Sequence, residues 1–249
     1  MRVSASRPRS FKPACLHPPA PGGVSVGLAS FLGGVVPAFR ALFDLLASQV
    51  CAGTWWPAQS RFEIVAGAIL TQNTAWTNVE LALANLRRER ALGADAILAL
   101  PADRLAQLIR PAGYYNAKSR YLRTVSEWFL ARDEAAAHLD TGRLRSELLA
   151  LRGVGPETAD DILLYAYNRG VFIYDLYARR LLAAAGFGEF RTYDAAKKAL
   201  DAQVAGEGFS AQELALFHGL VVDASKIARK VGGWADAYPL LQVGSFPSP

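Results

Sequence analysis

Residues Leu151 to Arg180 read LRGVGPETADDILLYAYNRGVFIYDLYARR. Gly153 and Gly155 flank Val154, so the chain can turn tightly there and approach a partner with no Cβ in between. Pro156 suits the first position of a helix, where its missing N–H would lack an intrahelical partner in any case. The helix that begins there aims free amides and the positive end of its dipole out of the glycine loop, an arrangement that holds phosphate without regard to sequence. A Gly-Val-Gly turn taken alone is more often simple helix packing. Asp175 lies eighteen residues beyond Glu157, at the head of a further apolar helix, where it is a natural N-cap as well as a carboxylate available for chemistry.

Outward from this segment the pattern is helical. Phe39, Leu42, Phe43 and Leu46 fall at helix spacing, as do Val65, Ala68 and Ile69, then Val79, Leu83 and Leu86. Pro57, Gly93, Pro101, Gly113, Gly170, Gly186, Gly206 and Gly232 break the pattern into stretches of helix length. Strict alternation is confined to Val171 to Tyr174, so the expected fold class is all-α with about ten helices. The chain has 249 residues, 52% of them hydrophobic, enough to bury one large core or two small ones. Residues 1–35 place Pro8, Pro13, Pro18, Pro19 and Pro21 among Arg, Ser and Gly. They lack both a packing period and a signal-peptide core, so they are expected to form a disordered arm or to stem from an upstream start site.

Lys and Arg number 27 against 22 Asp and Glu, with a pI near 9.3, a mild surplus that favours a polyanionic partner. Cys15 and Cys51 are the only cysteines, which excludes a disulfide framework and any four-cysteine metal site, and points to a reducing compartment. The histidines His17, His138 and His218 have no spacing that suggests a triad or a metal site. His218, in an apolar stretch, is expected to be a core residue, as are Trp128 and Trp234. No apolar run is long enough to span a bilayer.

The segment resembles the helix-hairpin-helix and downstream aspartate of the endonuclease III superfamily of DNA glycosylases, whose members share LxGVGxxTA. Three further stretches agree: FEIVAGAILTQNTAWTNV (Phe62 to Val79), GYYNAKSRYL within Ile109 to Leu122, and FHGLVV (Phe217 to Val222). The resemblance implies two helical domains with a DNA-binding cleft between them. Residues 60–168 would form a six-helix-type domain ending in the hairpin, and 36–59 with 169–249 a second helical domain. No cysteine follows Cys51, so the iron-sulfur cluster that many members carry near the C-terminus is not expected.

The implied activity is base excision repair, with double-stranded DNA bearing a damaged base as partner and a cytoplasmic monomer as the acting species. Asp175 would stabilise an oxocarbenium-like sugar or deprotonate the attacking water. Bifunctional members carry a lysine at the position of Glu157, whose amine attacks the sugar. Glu157 cannot form that bond, which implies a monofunctional enzyme with Glu157 in a supporting catalytic role. A Trp-Trp pair ahead of TQNTxW most closely resembles the cluster-free 3-methyladenine glycosylases of the superfamily. Trp55, Trp56 and Trp76 would form the base pocket, because an aromatic face stabilises a desolvated cation by up to about 2 kcal/mol.

Gln72 or Asn73 would fill the gap left by the extruded base. Gly153, Val154, Gly155 and Thr158 at the hairpin, and Lys118 with Arg120 and Arg123 beyond it, would contact the backbone of DNA. No cofactor is implied, although the hairpin leaves room for a monovalent cation. The alternatives are a glycosylase/lyase acting on oxidised pyrimidines, removal of mismatched or deaminated bases, and a non-catalytic helix-hairpin-helix DNA-binding module.

Overall fold

The computed structural model describes residues 38–50 and 56–242, with side chains of the last helix up to Tyr238. The arm expected at 1–35, both cysteines and Trp55 lie outside the described residues. The described chain is all-helical: α1 (Phe39–Gln49), α2 (Arg61–Leu70), α3 (Trp76–Arg88), α4 (Ala94–Ala99), α5 (Ala102–Leu108), α6 (Tyr115–Ala136), α7 (Thr141–Leu149), α8 (Pro156–Asp161), α9 (Leu176–Ala184), α10 (Tyr193–Gly206), α11 (Ala211–Val231) and α12 (Trp234–Gln242). A 3₁₀ turn spans Arg110–Ala112, and a π-helical turn, Ile162–Ala166, continues α8. The alternating stretch Val171 to Tyr174 is a connector without regular structure, not a half-buried strand, since Phe172, Ile173 and Tyr174 are all buried.

Local chemistry explains where the helices start. Ser60 caps α2 by accepting from the Glu63 amide at 3.1 Å, and the Glu63 carboxylate accepts from the Gln59 amide at 2.9 Å and pairs with Arg87. Ser210 and Glu213 form a reciprocal capping box on α11. The start of α1 is served from far away in sequence, for the amides of Phe39 and Arg40 donate to the Glu207 carboxylate at 2.9 and 2.5 Å.

Two apolar cores organise these helices. The first gathers α2 to α7 and the hairpin, from Phe62 to Tyr167, and includes Trp128. The second joins α1 to the chain from Phe172 to Ala237, with Phe39, Phe43, Phe172 and Phe217 meeting edge to face at 5.2–5.4 Å. The π turn lies on the seam: Leu163 is buried in the first core and Leu164 in the second. Ala224, Ala228, Trp234 and Ala237 hold the C-terminal helices by ordinary packing, where no four-cysteine site can be built from this sequence.

Candidate DNA-binding face and active site

The two glycines of the hairpin are needed for different reasons. Gly153 has φ +94, and a Cβ there would lie 2.2 Å from Cγ of Tyr121, so both the turn and the ring packed under it exclude a side chain. Gly155 is extended (φ −94, ψ 178), and a Cβ on it would meet nothing within 4 Å, which leaves an open approach to the main chain. Among the described residues no side chain caps α8, so its first-turn amides remain unpaired within the helix. The side chains of Val154 and Thr158 are turned inward, at 7% and 6% exposure. A contact to DNA from either therefore falls to the backbone.

The loop after α2 is tied to this hairpin. Gln72 Nε2 donates to the Gly153 carbonyl at 2.8 Å and to Thr158 Oγ1 at 3.0 Å. Asn73, in contrast, is exposed and sits in the left-handed region at φ +51. Thr74 Oγ1 donates to the Ala112 carbonyl at 2.8 Å, bringing the loop beside Tyr114, which is 73% exposed and also left-handed, at φ +45. From sequence, Tyr114 belongs with Tyr115 to the aromatic and basic cluster after Gly113 that also holds Lys118, Arg120 and Arg123.

Lys118 corrects an expectation. It was expected on the surface, against phosphate, but it is 2% exposed and its Nζ donates to the carbonyls of Leu70 at 2.7 Å and Ala112 at 2.8 Å. Burial lowers its pKa to about 8. The ammonium satisfies the carbonyl end of α2 and the turn before α6, so it braces the loop from behind and cannot reach a backbone outside. Arg123 is likewise engaged with the Leu100 carbonyl at 3.1 Å, whereas Arg120 is exposed.

Asp175 caps α9, with Oδ1 accepting from the Ala178 amide at 2.7 Å. Its other oxygen lies 3.8 Å from His218 Nε2, and His218 Nδ1 shares a hydrogen bond of 2.7 Å with the Tyr165 hydroxyl. Tyr165 stacks on Trp56 at 4.7 Å and 28° between planes, and Trp56 meets Trp76 at 5.3 Å. Trp56 fits because Gly67 lies beneath it; a Cβ there would sit 3.2 Å from the indole Nε1. It is held at φ +55, a strained conformation of the kind that clusters at functional sites. One continuous series of contacts thus runs from the tryptophans to the aspartate.

His218 was assigned to the core from sequence, and it is buried, yet it also faces Asp175. Nothing in FHGLVV announces that partner. Glu157 lies in the first turn of α8 and is exposed. Desolvation by the surrounding protein, then the charge of Asp175, raises its carboxyl above the ordinary range, with His218 and Arg179 opposing. Of the two aspartates that follow, Asp160 is paired with Arg145 at 2.7 Å, the Tyr193 hydroxyl at 2.8 Å and Lys197 at 3.3 Å. Asp161 is buried without comparable partners. Among the described residues no group of His, Cys, Asp and Glu is arranged to hold a metal ion, and no helix is long and apolar enough to cross a membrane.

A helical hairpin offering main-chain donors, a strained loop tied beside it and a capped carboxylate behind an aromatic wall are the parts that gripping DNA and acting on one nucleotide require. Residues 66–205 match the family model described as HhH-GPD superfamily base excision DNA repair protein, and the chain belongs to that superfamily, as a DNA glycosylase of base excision repair. It is 40% identical over 199 residues, 77% of this chain and 87% of the relative, to a Methanocaldococcus jannaschii protein provisionally named a DNA repair glycosylase. The fold is similar to that of the Helicobacter pylori 3-methyladenine DNA glycosylase bound to 1,N6-ethenoadenine, at 30% identity and TM-score 0.59, covering 76% of this chain and 95% of that one. It is also similar to endonuclease III trapped covalently on DNA, at 20% identity and TM-score 0.61, covering 78% and 87%; that likeness concerns the fold.

Proposed function

We propose that this glycosylase is monofunctional and hydrolyses the N-glycosidic bond of flipped-out alkylated purines such as 3-methyladenine, leaving an abasic site and acting as a monomer in the cytoplasm. The observation that carries the reading is the placement of Asp175 behind a Trp56, Tyr165 and Trp76 wall, with a carboxylate at residue 157. A purine alkylated on a ring nitrogen carries positive charge, which the electron-rich faces of Trp56 and Trp76 would stabilise, with Trp55 next in sequence as a further candidate.

Asp175 supplies negative charge where the sugar becomes oxocarbenium-like. The Ala178 amide holds it in place, and His218 faces its other oxygen. Glu157, with no amine, offers no route to a Schiff base, and its raised carboxyl sits near the incoming water. Asn73 is the better placed of the two amides to enter the duplex, since Gln72 is engaged with the hairpin, and Tyr114 stands beside it to stack. The hairpin backbone and Arg120 would hold phosphates. The similarity to the H. pylori 3-methyladenine glycosylase supports the substrate class.

The test is release of free bases from methylated, oxidised and deaminated duplexes, measured side by side with strand nicking and borohydride trapping. Methylated adenine should be released without nicking, and Asp175→Asn should slow that release at least about a hundredfold. A trapped covalent adduct, release confined to oxidised pyrimidines, or undiminished release by Asp175→Asn refutes the assignment.

A further inference from the structure

We infer that Asp161 is the hydrogen-bonding group of the base subsite and that it selects extruded purines carrying a donor and an acceptor side by side. The inference rests on the glycosylase reading above. Glu157, Asp161 and Tyr165 follow one another at intervals of four residues, so they share one face of the α8 stretch. The first is close enough to Asp175 for that charge to raise its carboxyl, and the last stacks on Trp56 and bonds His218. Asp161 therefore lies between the groups proposed to act on the sugar and the aromatic wall proposed to hold the base. That is where the polar edge of a flipped purine must come.

The state of the side chain supports this placement. Asp161 is 4% exposed, and its Oδ1 meets no hydrogen-bond partner among the described residues. A buried polar atom left unpaired is costly and rarely kept without a use. Its neighbour makes the contrast plain, for Asp160 is more deeply buried and has three separate side chains around its carboxylate. The fold pairs the aspartate that ties its helices together and leaves an oxygen of the next one buried without a partner. Burial, then the charges of Glu157, Asp175 and Asp160, raises the Asp161 carboxyl well above the ordinary range. A protonated carboxyl offers one donor and one acceptor on adjacent oxygens, the complement of an amidine or amide edge. A fixed carboxylate would offer acceptors only, and would discriminate by charge alone.

The test compares two adenine derivatives on one purine frame. 3-Methyladenine keeps its exocyclic amino donor beside a ring-nitrogen acceptor; 1,N6-ethenoadenine has that amino group closed into a ring and presents no N–H there. Single-turnover release of each is measured for the full chain, Asp161→Asn and Asp161→Ala, with Asp161→Val in reserve should the alanine variant fail to fold. Because the leaving ability of each base is the same for every variant, the ratio of the two rates isolates recognition. The ratio should fall about tenfold in Asp161→Ala and stay within about threefold of wild type in Asp161→Asn, which keeps a donor and an acceptor.

Affinity for a duplex holding a tetrahydrofuran abasic analogue, which has no base to read, should be unchanged within about twofold. A ratio unmoved by Asp161→Ala overturns the inference while leaving the proposed function standing. Equal losses on both bases and on the abasic analogue assign Asp161 a structural role and also overturn it. A wild-type protein that releases neither base refutes the proposed function, and the inference with it.

Discussion

Lys118→Met should erase a pH dependence of stability that the wild-type protein carries at alkaline pH. The ammonium is almost completely buried, and burial lowers its pKa from 10.5 to about 8. The unfolded chain therefore binds more protons than the folded one between those two values, and stability rises with pH across that window. Below pH 8 both states hold the proton, and the full penalty of burying the charge is present. Above 10.5 both have lost it and the penalty is gone. At 1.36 kcal/mol per pKa unit, the gap of about 2.5 units corresponds to roughly 3 kcal/mol gained between pH 7 and the top of the window.

Other tyrosines and lysines titrate there too, so the readout is the difference between wild type and variant in urea unfolding at pH 7, 8, 9 and 10. That difference should shift toward wild type by about 2–3 kcal/mol over the series. Parallel curves would refute the reasoning, because they would mean that the bonds to the Leu70 and Ala112 carbonyls compensate the ammonium fully for its lost hydration. Methionine preserves the apolar stem but leaves both carbonyls without the ammonium. Base release should therefore fall as well, through the loop that carries Asn73.

Gly153→Ala forces a Cβ to within 2.2 Å of the Tyr121 ring at φ +94 and should cost at least about 2 kcal/mol in urea unfolding; Gly155→Ala, facing open space, should cost under about 1 kcal/mol yet weaken duplex binding by anisotropy. Equal stability losses would contradict the division of labour between the two glycines. Trp56→Ala removes the stack on Tyr165 and the contact with Trp76, so release of a cationic base should fall about ten- to thirtyfold. Its affinity for undamaged duplex should hold within about twofold, and a larger loss of that affinity would place Trp56 on the DNA backbone instead. Glu157→Lys introduces an amine in the first turn of α8 and should yield a borohydride-trapped DNA adduct absent from wild type; no adduct would mean that residue 157 does not reach the sugar.

The helices were legible because their apolar residues recur at a fixed period, and the hairpin because glycine, valine and proline each serve a stated geometric need. Lys118 was misread for a physical reason. In GYYNAKSRYL it occupies the first turns of a helix, where lysine is ordinarily solvated, and only the carbonyl of Leu70, 48 residues away, and that of Ala112 make its burial tolerable. The choice between Gln72 and Asn73 was open for a similar reason, since it depends on which amide the hairpin engages. His218 looked like any satisfied core histidine, because its partner Tyr165 is 53 residues distant and Asp175 caps the start of a different helix. The adjacent aspartates Asp160 and Asp161 are chemically identical in sequence. Tertiary neighbours alone distinguish a structural carboxylate from an unpaired one.

The site belongs to neither core by itself. Trp56 and Trp76 pack against the first, Asp175 and His218 come from the helices of the second, and Glu157, Asp161 and Tyr165 lie on the helical stretch that contributes Leu163 to one core and Leu164 to the other. That stretch ends in the π turn, in which the Tyr167 amide reaches back five residues to the Ile162 carbonyl. Such turns recur at functional sites, and here the wider register lets Tyr165 reach His218 while Leu163 and Tyr167 remain in the first core. Asp160 fastens the same stretch on its far side, to Arg145 of α7 and to Tyr193 and Lys197 of α10. Because the groups proposed to hold the base and those proposed to act on the sugar arrive from opposite sides of this seam, their spacing is set by how α8 is clamped. A substitution that loosens Asp160 should change that spacing while leaving in place every side chain proposed to contact DNA.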